Sequence, residues 1–161
     1  MTLEFSTYDP GATVRAGALL GPLLVAGDVI VLAGDLGAGK TQLVKGVARA
    51  LGVDEPVTSP TFNLLAVHPG VLPLYHFDLY RLEREADLED IGFYETLEGD
   101  GASFIEWGDR FPASLPPDRL LVVVHRTGRD ERRFELVPSG ARSELLAGAW
   151  LAVVSADGAQ L

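Results

Sequence analysis

The order of apolar and polar residues predicts a chain of alternating strands and helices. Residues 29–33 form an unbroken apolar run between Asp28 and Gly34, which is typical of a short strand buried on both faces. Residues 43–51 then repeat apolar side chains at a spacing of four, and Gly52 follows as a stop signal. This pattern predicts a buried strand, a glycine-rich connection and a helix.

The pattern of apolar and polar residues also predicts strands and helices towards both ends of the chain. Asp9 and Pro10 are typical of a helix start, with Asp9 as the N-cap and Pro10 in the first turn. The pattern predicts further strands at residues 3–5, 62–67, 72–78, 102–105, 120–125 and 133–137, and helices from residue 10 towards 21, over 83–91 at the surface, and over 143–151. The strands at 62–67 and 72–78 are joined by a turn at 68–70, and the last two strands form a hairpin across Gly128.

The connection after the first buried strand carries a phosphate-binding pattern. Residues 34–41 read G-D-L-G-A-G-K-T and fit G-x-x-x-x-G-K-[ST], in which backbone N–H groups surround a polyphosphate. Lys40 is placed to contact the β- and γ-phosphates, and the Thr41 hydroxyl to bind magnesium. The alternative is a glycine-rich turn that binds nothing. Lys40 and Thr41 argue against it, because the only other lysine of the chain is Lys45.

Two acidic residues stand where predicted strands end. Asp78 closes the strand at 72–78, and Glu106 follows the strand at 102–105. Ligands of α/β sheets bind outside the carboxyl ends of strands, so either acid can hold magnesium or orient an attacking water. Each acid alone is equally well explained as an exposed carboxylate without function. Together with the phosphate loop, they favour a functional site.

Composition narrows the class of protein. A chain of 161 residues predicts one domain, residues 1–161, with 47% hydrophobic and 22% charged residues. The net charge of −10 argues against lasting direct binding to nucleic acid. The absence of cysteine excludes disulfides, and His68, His76 and His125 lack metal-ligand spacing and are interpreted as ordinary loop or strand residues. Neither a secretory signal nor a membrane span is recognisable, so we expect a cytoplasmic protein.

Five motifs, taken in order and spacing, resemble those of the TsaE (YjeE) family. They are the phosphate loop, T-S-P-T-F at 58–62, H-F-D-L-Y-R at 76–81, E-W at 106–107 and G-R at 128–129. The resemblance covers roughly residues 28–130 and weakens beyond Arg142. It implies an α/β fold, a single P-loop NTPase domain with a mixed, centrally parallel sheet flanked by helices. Its late strands are antiparallel, in agreement with the hairpin predicted at Gly128.

The resemblance also implies a function. Proteins of this family are magnesium-dependent ATPases of tRNA threonylcarbamoyladenosine biosynthesis that support turnover of the TsaD and TsaB proteins, which carry out the transfer to tRNA. It implies that Thr41 and Glu106 hold magnesium, that Lys40 and Asp78 act in hydrolysis, and that Thr61 is a switch residue. The pattern around 56–62 is equally compatible with a structural turn. The implied nucleotide contacts are Gly37, Ala38, Gly39, Lys40, Thr41, Gln42, Trp107, Gly128 and Arg129, with the turn at residues 9–11 near the base.

Other functions compete with this hypothesis. A GTPase would need N-K-x-D to read guanine, but Asn63 is the only asparagine and no lysine follows it. A small-molecule kinase is compatible with the loop alone, although this layout leaves little room for a lid and an acceptor pocket. A nucleotide-binding interaction module with little turnover of its own also stays open, because Arg81 and Arg129 are only candidates for an arginine that completes the site.

Overall fold

The computed structural model describes residues 3–35, 37–60 and 63–157. Its strands are β1 (Leu3–Thr7), β2 (Val29–Ala33), β3 (Leu65–His68), β4 (Leu74–Asp78), β5 (Ala102–Glu106), β6 (Leu120–Arg126) and β7 (Arg132–Pro138). Its α-helices are α1 (Pro10–Leu20), α2 (Lys40–Ala50), α3 (Asp87–Asp90), α4 (Phe93–Leu97) and α5 (Ala141–Ala156). In the part of the chain so described, no helix is long and apolar enough to cross a membrane.

All seven strands form one mixed sheet in the order β1-β7-β6-β2-β5-β4-β3. The four central strands β6, β2, β5 and β4 run parallel, whereas β1, β7 and β3 pair antiparallel at the two sides. Every residue of β2 and β5 is buried, which explains why the sequence of β2 is continuously apolar instead of alternating. The predicted α/β fold with a centrally parallel, mixed sheet is therefore confirmed.

Helices cover both faces of the sheet and enclose two apolar cores. On one face α1, α2 and α5 pack against side chains such as Ile30 and Phe104, and the largest fully buried side chain there is Trp150. On the other face the short helices α3 and α4 pack against Val31 and Ile105. Because successive side chains of a strand point to opposite faces, neighbouring residues of β2 belong to different cores.

Helices α1 and α2 cross with their backbones in close approach. A Cβ atom at Gly46 would lie 1.8 Å from the carbonyl oxygen of Val14, so a residue larger than glycine cannot occupy this crossing. The Trp150 indole Nε1–H donates to the Ala16 carbonyl oxygen at 2.9 Å and fixes α5 against α1. The Asp9 carboxylate caps α1, as predicted, by accepting from Ala12 N–H at 2.8 Å. This packing brings the start of α1 beside the start of α2.

The strand predicted at 62–67 begins and ends later than the pattern indicated. It starts at Leu65 because Leu64 has a left-handed backbone with a φ of 62°, which interrupts an extended chain. It continues to His68, which the pattern had placed in the turn. His68 is buried, with its Nδ1 2.6 Å from Oε1 of Glu55.

The surface helix predicted at 83–91 is also wrong in extent. Only Asp87–Asp90 is helical there, and a second helix, Phe93–Leu97, follows Gly92, whose φ is 69°. Leu88 and Phe93 are fully buried, so this segment is part of the second core. By contrast, the closing helix is longer than the predicted 143–151.

Candidate functional site

The phosphate loop connects β2 to the first turn of α2. Gly39 has a φ of 101°, a left-handed conformation that glycine adopts without steric cost, and the helix begins at the next residue, Lys40. The first backbone N–H groups of a helix have no partner within the helix, and the helix dipole makes its N-terminus partially positive. The N-terminus of α2 is therefore suited to bind an anion.

Lys40 is buried at the centre of this site, with 4% of its surface exposed. Its Nζ donates to the Gly34 carbonyl oxygen at 2.7 Å and lies 3.8 Å from the centre of the Trp107 ring. Burial lowers the pKa of Lys40, and the negative charges of Glu106 and Asp78 oppose that shift. Within residues 3–35, 37–60 and 63–157, the ammonium group contacts a carbonyl oxygen and an aromatic face, and no carboxylate lies within ion-pair distance of it.

Trp107 holds its position through a strained backbone. It follows β5 with a φ of 64°, which is uncommon for a residue other than glycine. Its ring packs against the Tyr80 ring with centroids 5.1 Å apart. A left-handed conformation of a bulky residue persists only where its surroundings enforce it, and such strain concentrates at functional sites. Trp107 and Tyr80 together form an aromatic wall beside Lys40.

Asp78 and Glu106 are direct neighbours in the sheet, because they are paired at the ends of parallel strands β4 and β5. Their exposures are 6% and 4%. Glu106 Oε1 lies 3.5 Å from the Thr41 hydroxyl oxygen. Asp78 Oδ2 accepts from the Ser59 hydroxyl at 2.5 Å, and Asp78 Oδ1 accepts from Tyr80 N–H at 3.0 Å. The predicted strand-end acids thus converge with the phosphate loop.

His76 is a further member of the site that sequence reasoning missed. Its side chain is completely buried, and its Nε2 lies 2.6 Å from Oε2 of Glu106, so the ring N–H donates to the carboxylate. The interpretation of His76 as an ordinary strand residue therefore needs correction. The available signal was its position two residues before Asp78, which places both side chains on the same face of β4.

These side chains surround a cavity of about 520 Å³. Its lining residues are Pro10, Thr13, Gly37, Ala38, Gly39, Lys40, Thr41, Gln42, Ser59, Asp78, Tyr80, Arg81, Glu106, Trp107, Asp130 and Arg132. The cavity runs from the two acids, past the phosphate loop, to the start of α1. A volume of this size lies within the range of small-molecule and cofactor sites.

Most of the residues implied for the nucleotide line this cavity. Of that set, Gly128 and Arg129 are not among its lining residues; their backbone carbonyls instead accept from Arg132, each at 3.2 Å. Thr61, implied as a switch residue, lies outside the described residues. Ser59, two residues earlier, is the loop residue that the structure places against Asp78.

Arg132 is the second residue that sequence reasoning missed. It belongs to β7, and its Nε donates to the Ala38 carbonyl oxygen at 2.7 Å, with Nη2 3.4 Å from the Gly37 carbonyl oxygen. The same guanidinium donates from Nη1 to backbone carbonyls of residues 128, 129 and 131. Arg132 thereby connects the hairpin loop to the phosphate loop. Its contact partners on the phosphate loop are more than ninety positions away in the sequence, so local pattern could not identify it.

The donor set at the acidic end fits a magnesium ion that accompanies a polyphosphate. Thr41 and Glu106 present two oxygen atoms 3.5 Å apart to one cavity, and magnesium prefers oxygen ligands. Over the described ranges, no three His, Asp or Glu side chains converge into a metal cage. Magnesium is usually held by one or two carboxylates together with substrate phosphates, and the arrangement around Glu106 offers such a partial set.

Known proteins are similar to this chain over most of its length. Residues 7–134 match the family model described as "Threonylcarbamoyl adenosine biosynthesis protein TsaE". A protein of Bacillus subtilis named "tRNA threonylcarbamoyladenosine biosynthesis protein TsaE" is 42% identical over 145 residues, which cover 89% of this chain and 90% of that protein. The protein of the same name from Treponema pallidum is 53% identical over 104 residues, or 65% of this chain and 77% of that protein.

A solved structure is similar over nearly the whole chain. The crystal structure of Bacillus subtilis YdiB superposes with a TM-score of 0.82 at 35% sequence identity, covering 95% of this chain and 96% of that one. The likeness therefore extends past the family model to the closing helix α5, where the motifs in the sequence had given little guidance.

Proposed function

This chain belongs to the TsaE family of tRNA threonylcarbamoyladenosine biosynthesis proteins, and from that premise we propose that it is the ATPase of that pathway. It binds ATP with Mg²⁺ in the cavity described above and hydrolyses it slowly on its own. Hydrolysis supports repeated turnover of the TsaD–TsaB transferase in the cytoplasm. The protein does not itself modify tRNA.

The observation that carries this proposal is the convergence of two buried carboxylates with a phosphate loop on one cavity. Glu106 and Asp78 are almost completely buried, and both line one cavity with Lys40 and the phosphate loop. Two carboxylates buried side by side are costly for a fold unless positive charge offsets them. They are well explained if a bound cation completes their environment in the working protein.

Each residue of the site has a defined task in this proposal. The backbone N–H groups at the start of α2 and the Lys40 ammonium bind the phosphates, for which Lys40 leaves its contact with the Gly34 carbonyl. Thr41 and Glu106 would hold magnesium, which supplies neutralisation of phosphate charge when bound. Asp78, fixed by Ser59, orients the attacking water.

The charge of the chain suits an auxiliary role better than a direct grip on tRNA. A net charge of −10 opposes lasting binding to a phosphate backbone, because such binding depends on its neutralisation by basic residues. We therefore place the contact with the pathway at the TsaD and TsaB proteins.

The proposal is tested by steady-state ATP hydrolysis at fixed magnesium, for the protein alone and with matching TsaB and TsaD proteins. We expect slow hydrolysis alone and faster hydrolysis with the partners. Lys40→Ala should lower either rate by about a hundredfold or more, because it removes a charge that stabilises the transition state. Lys45→Ala, a change on the same helix outside the cavity, is the matched control.

The outcomes separate the parts of the proposal. Equal turnover with and without the partners would contradict the link to the transferase and leave an ATPase. ATP binding without hydrolysis in either condition would contradict the ATPase and favour an interaction module. Transfer of phosphate to a small acceptor would favour a kinase.

A further inference from the structure

We propose that His76 is a positioning residue for the Glu106 carboxylate, and that it aims one carboxylate oxygen at the cation site. This inference rests on the proposed function, since it assigns Glu106 to magnesium. It adds a residue from inside the core to a site whose other members line the cavity.

The sheet register places His76 beneath the site. On β4 it lies between Leu74 and Asp78 on one face, and it pairs across to Phe104 of β5. Glu106 is two residues further along β5, so its side chain lies diagonally opposite on the same face. The imidazole is fully buried, and its Nε2 reaches Oε2 of Glu106 at 2.6 Å.

The two oxygens of Glu106 have different environments. Oε2 is bound from the core side by His76, while Oε1 lies 3.5 Å from the Thr41 hydroxyl beside the phosphate loop. A glutamate side chain has several rotatable bonds, and a donor fixed to one oxygen restricts all of them. Carboxylates that bind metals are themselves held by hydrogen bonds, and loss of such a partner typically weakens metal binding about ten- to a hundredfold.

A purely structural role would not explain why a polar ring is buried at position 76. Its neighbours in the core include Leu74 and Phe104, where an apolar side chain would pack without a polar group to satisfy. Among the residues that the structure describes, its Nδ1 has no hydrogen-bond partner. His76 therefore makes one side-chain hydrogen bond at this buried position, and that bond is made to Glu106.

The test compares His76→Leu, His76→Gln and His76→Asn in the full chain. A glutamine amide reaches about as far as Nε2 of histidine and keeps the donor, whereas asparagine is too short and leucine has no donor. The readout is binding of a fluorescent ATP analogue as magnesium is varied, repeated with the metal chelated. His125→Leu is the matched control, because His125 pairs with Glu135 at 3.1 Å outside the cavity.

We expect His76→Leu and His76→Asn to raise the magnesium concentration for half-maximal binding about tenfold or more. Binding without magnesium should be unchanged, and His76→Gln should lie near the unaltered protein. If His76→Leu fails to fold, the inference is tested by comparing the magnesium dependence of His76→Gln with that of His76→Asn. Equal magnesium dependence in those two variants, or a loss that is the same with and without magnesium, would overturn the inference. Absence of magnesium-dependent binding in the unaltered protein would instead overturn the proposed function, and the inference with it.

Discussion

Buried carboxylates lie at both ends of the central strands, Asp28 just before β2 begins and Glu106 where β5 ends. Asp28 accepts two hydrogen bonds from the Arg142 guanidinium, each at 2.8 Å, and a third from Val25 N–H at 2.8 Å. Arg142 comes from the first turn of α5, so this ion pair attaches the closing helix to the start of the sheet. At this end of the strands, the buried carboxylate of Asp28 is neutralised by the Arg142 guanidinium.

The carboxyl end of the same strands is arranged differently. Glu106 and Asp78 are bound by a histidine, hydroxyl groups and a backbone N–H, and the nearby Lys40 contacts a carbonyl and an indole ring instead. All three groups face a cavity. The comparison shows that buried carboxylates have two arrangements in this fold. Asp28 forms an ion pair with Arg142, whereas Asp78 and Glu106 face a cavity beside the phosphate loop, where we propose that a magnesium ion binds.

The largest effect that separates the two ends is expected at Glu106. Glu106→Gln should reduce ATP turnover about a hundredfold or more, because it removes a charge that the proposed magnesium site needs. The free energy of unfolding should stay the same or rise, since the amide oxygen still accepts from His76 and one buried charge is gone. Kinetics and urea unfolding of the same sample measure both, with Glu135→Gln as the control. A large loss of stability with normal turnover would show that Glu106 serves the fold and not the proposed magnesium site.

Arg142→Ala should produce the opposite pattern. It leaves Asp28 buried without its cation, which should lower the free energy of unfolding by about 3 kcal/mol, the low end for a buried pair because the Arg142 side chain remains 39% exposed. Turnover of the folded protein should not change. Arg15→Ala removes an exposed ion pair with Asp157 and serves as control, with no measurable loss expected. A urea midpoint for Arg142→Ala equal to that of the unaltered protein would contradict a stabilising role for the Asp28–Arg142 ion pair.

Arg132→Ala tests whether the hairpin loop contributes to the cavity at the carboxyl end of the central strands. We expect nucleotide binding to weaken about tenfold, because the guanidinium no longer joins the Ala38 carbonyl to the hairpin loop. Arg132→Lys should not restore binding, since a single ammonium cannot span the same acceptors. Arg133→Ala, the next residue and a partner of Glu4 at the surface, is the control for β7. Equal affinities for the Arg132 and Arg133 variants would show that the contact is incidental.

The smallest effect on stability is expected at Asp118, which lies at the same end of the sheet as Asp28. Its carboxylate accepts from the first-turn N–H groups of Arg142 and Ser143. Hydrogen bonds from Ser143, then Arg142, hold the pKa of Asp118 below its ordinary value. The carboxylate therefore stabilises the fold above its unfolded pKa of about 4, and the gain is lost as the pH falls through the lower folded value.

Asp118→Ala should accordingly cost about 1 kcal/mol near neutral pH, a typical value for a helix cap. Urea unfolding from pH 7 to pH 3 measures the difference from the unaltered protein, which should shrink in the acidic range. A difference that grows as the pH falls would contradict this sign.

The sequence predicted the parts of the molecule whose chemistry is local. Residues 34–41 are contiguous, so the phosphate loop and its flanking strand and helix could be recognised from pattern alone. Asp78 and Glu106 could be selected because parallel strands bring their carboxyl ends to one edge. Arg132 could not, since its contact with Ala38 depends on how the antiparallel β7 lies beside the loop.

His76 was missed for a different reason. The spacing of metal ligands does not indicate His76, because its hydrogen bond is made to a carboxylate on the neighbouring strand. Only the register of β4 and β5 shows that the two side chains lie diagonally opposite each other. The helix predicted at 83–91 was wrong because acidic residues indicated an exposed face, although Leu88 is buried in the second core. In each case the missing information was a tertiary contact.

The most direct test of a magnesium–ATP site at the carboxyl end is calorimetric titration of ATP into the protein, with and without magnesium. We predict saturable binding of one ATP per chain that weakens strongly when magnesium is removed and is lost in Lys40→Ala. Equal binding by the unaltered protein and Lys40→Ala, or no binding by either, would contradict the assignment of the cavity to the nucleotide.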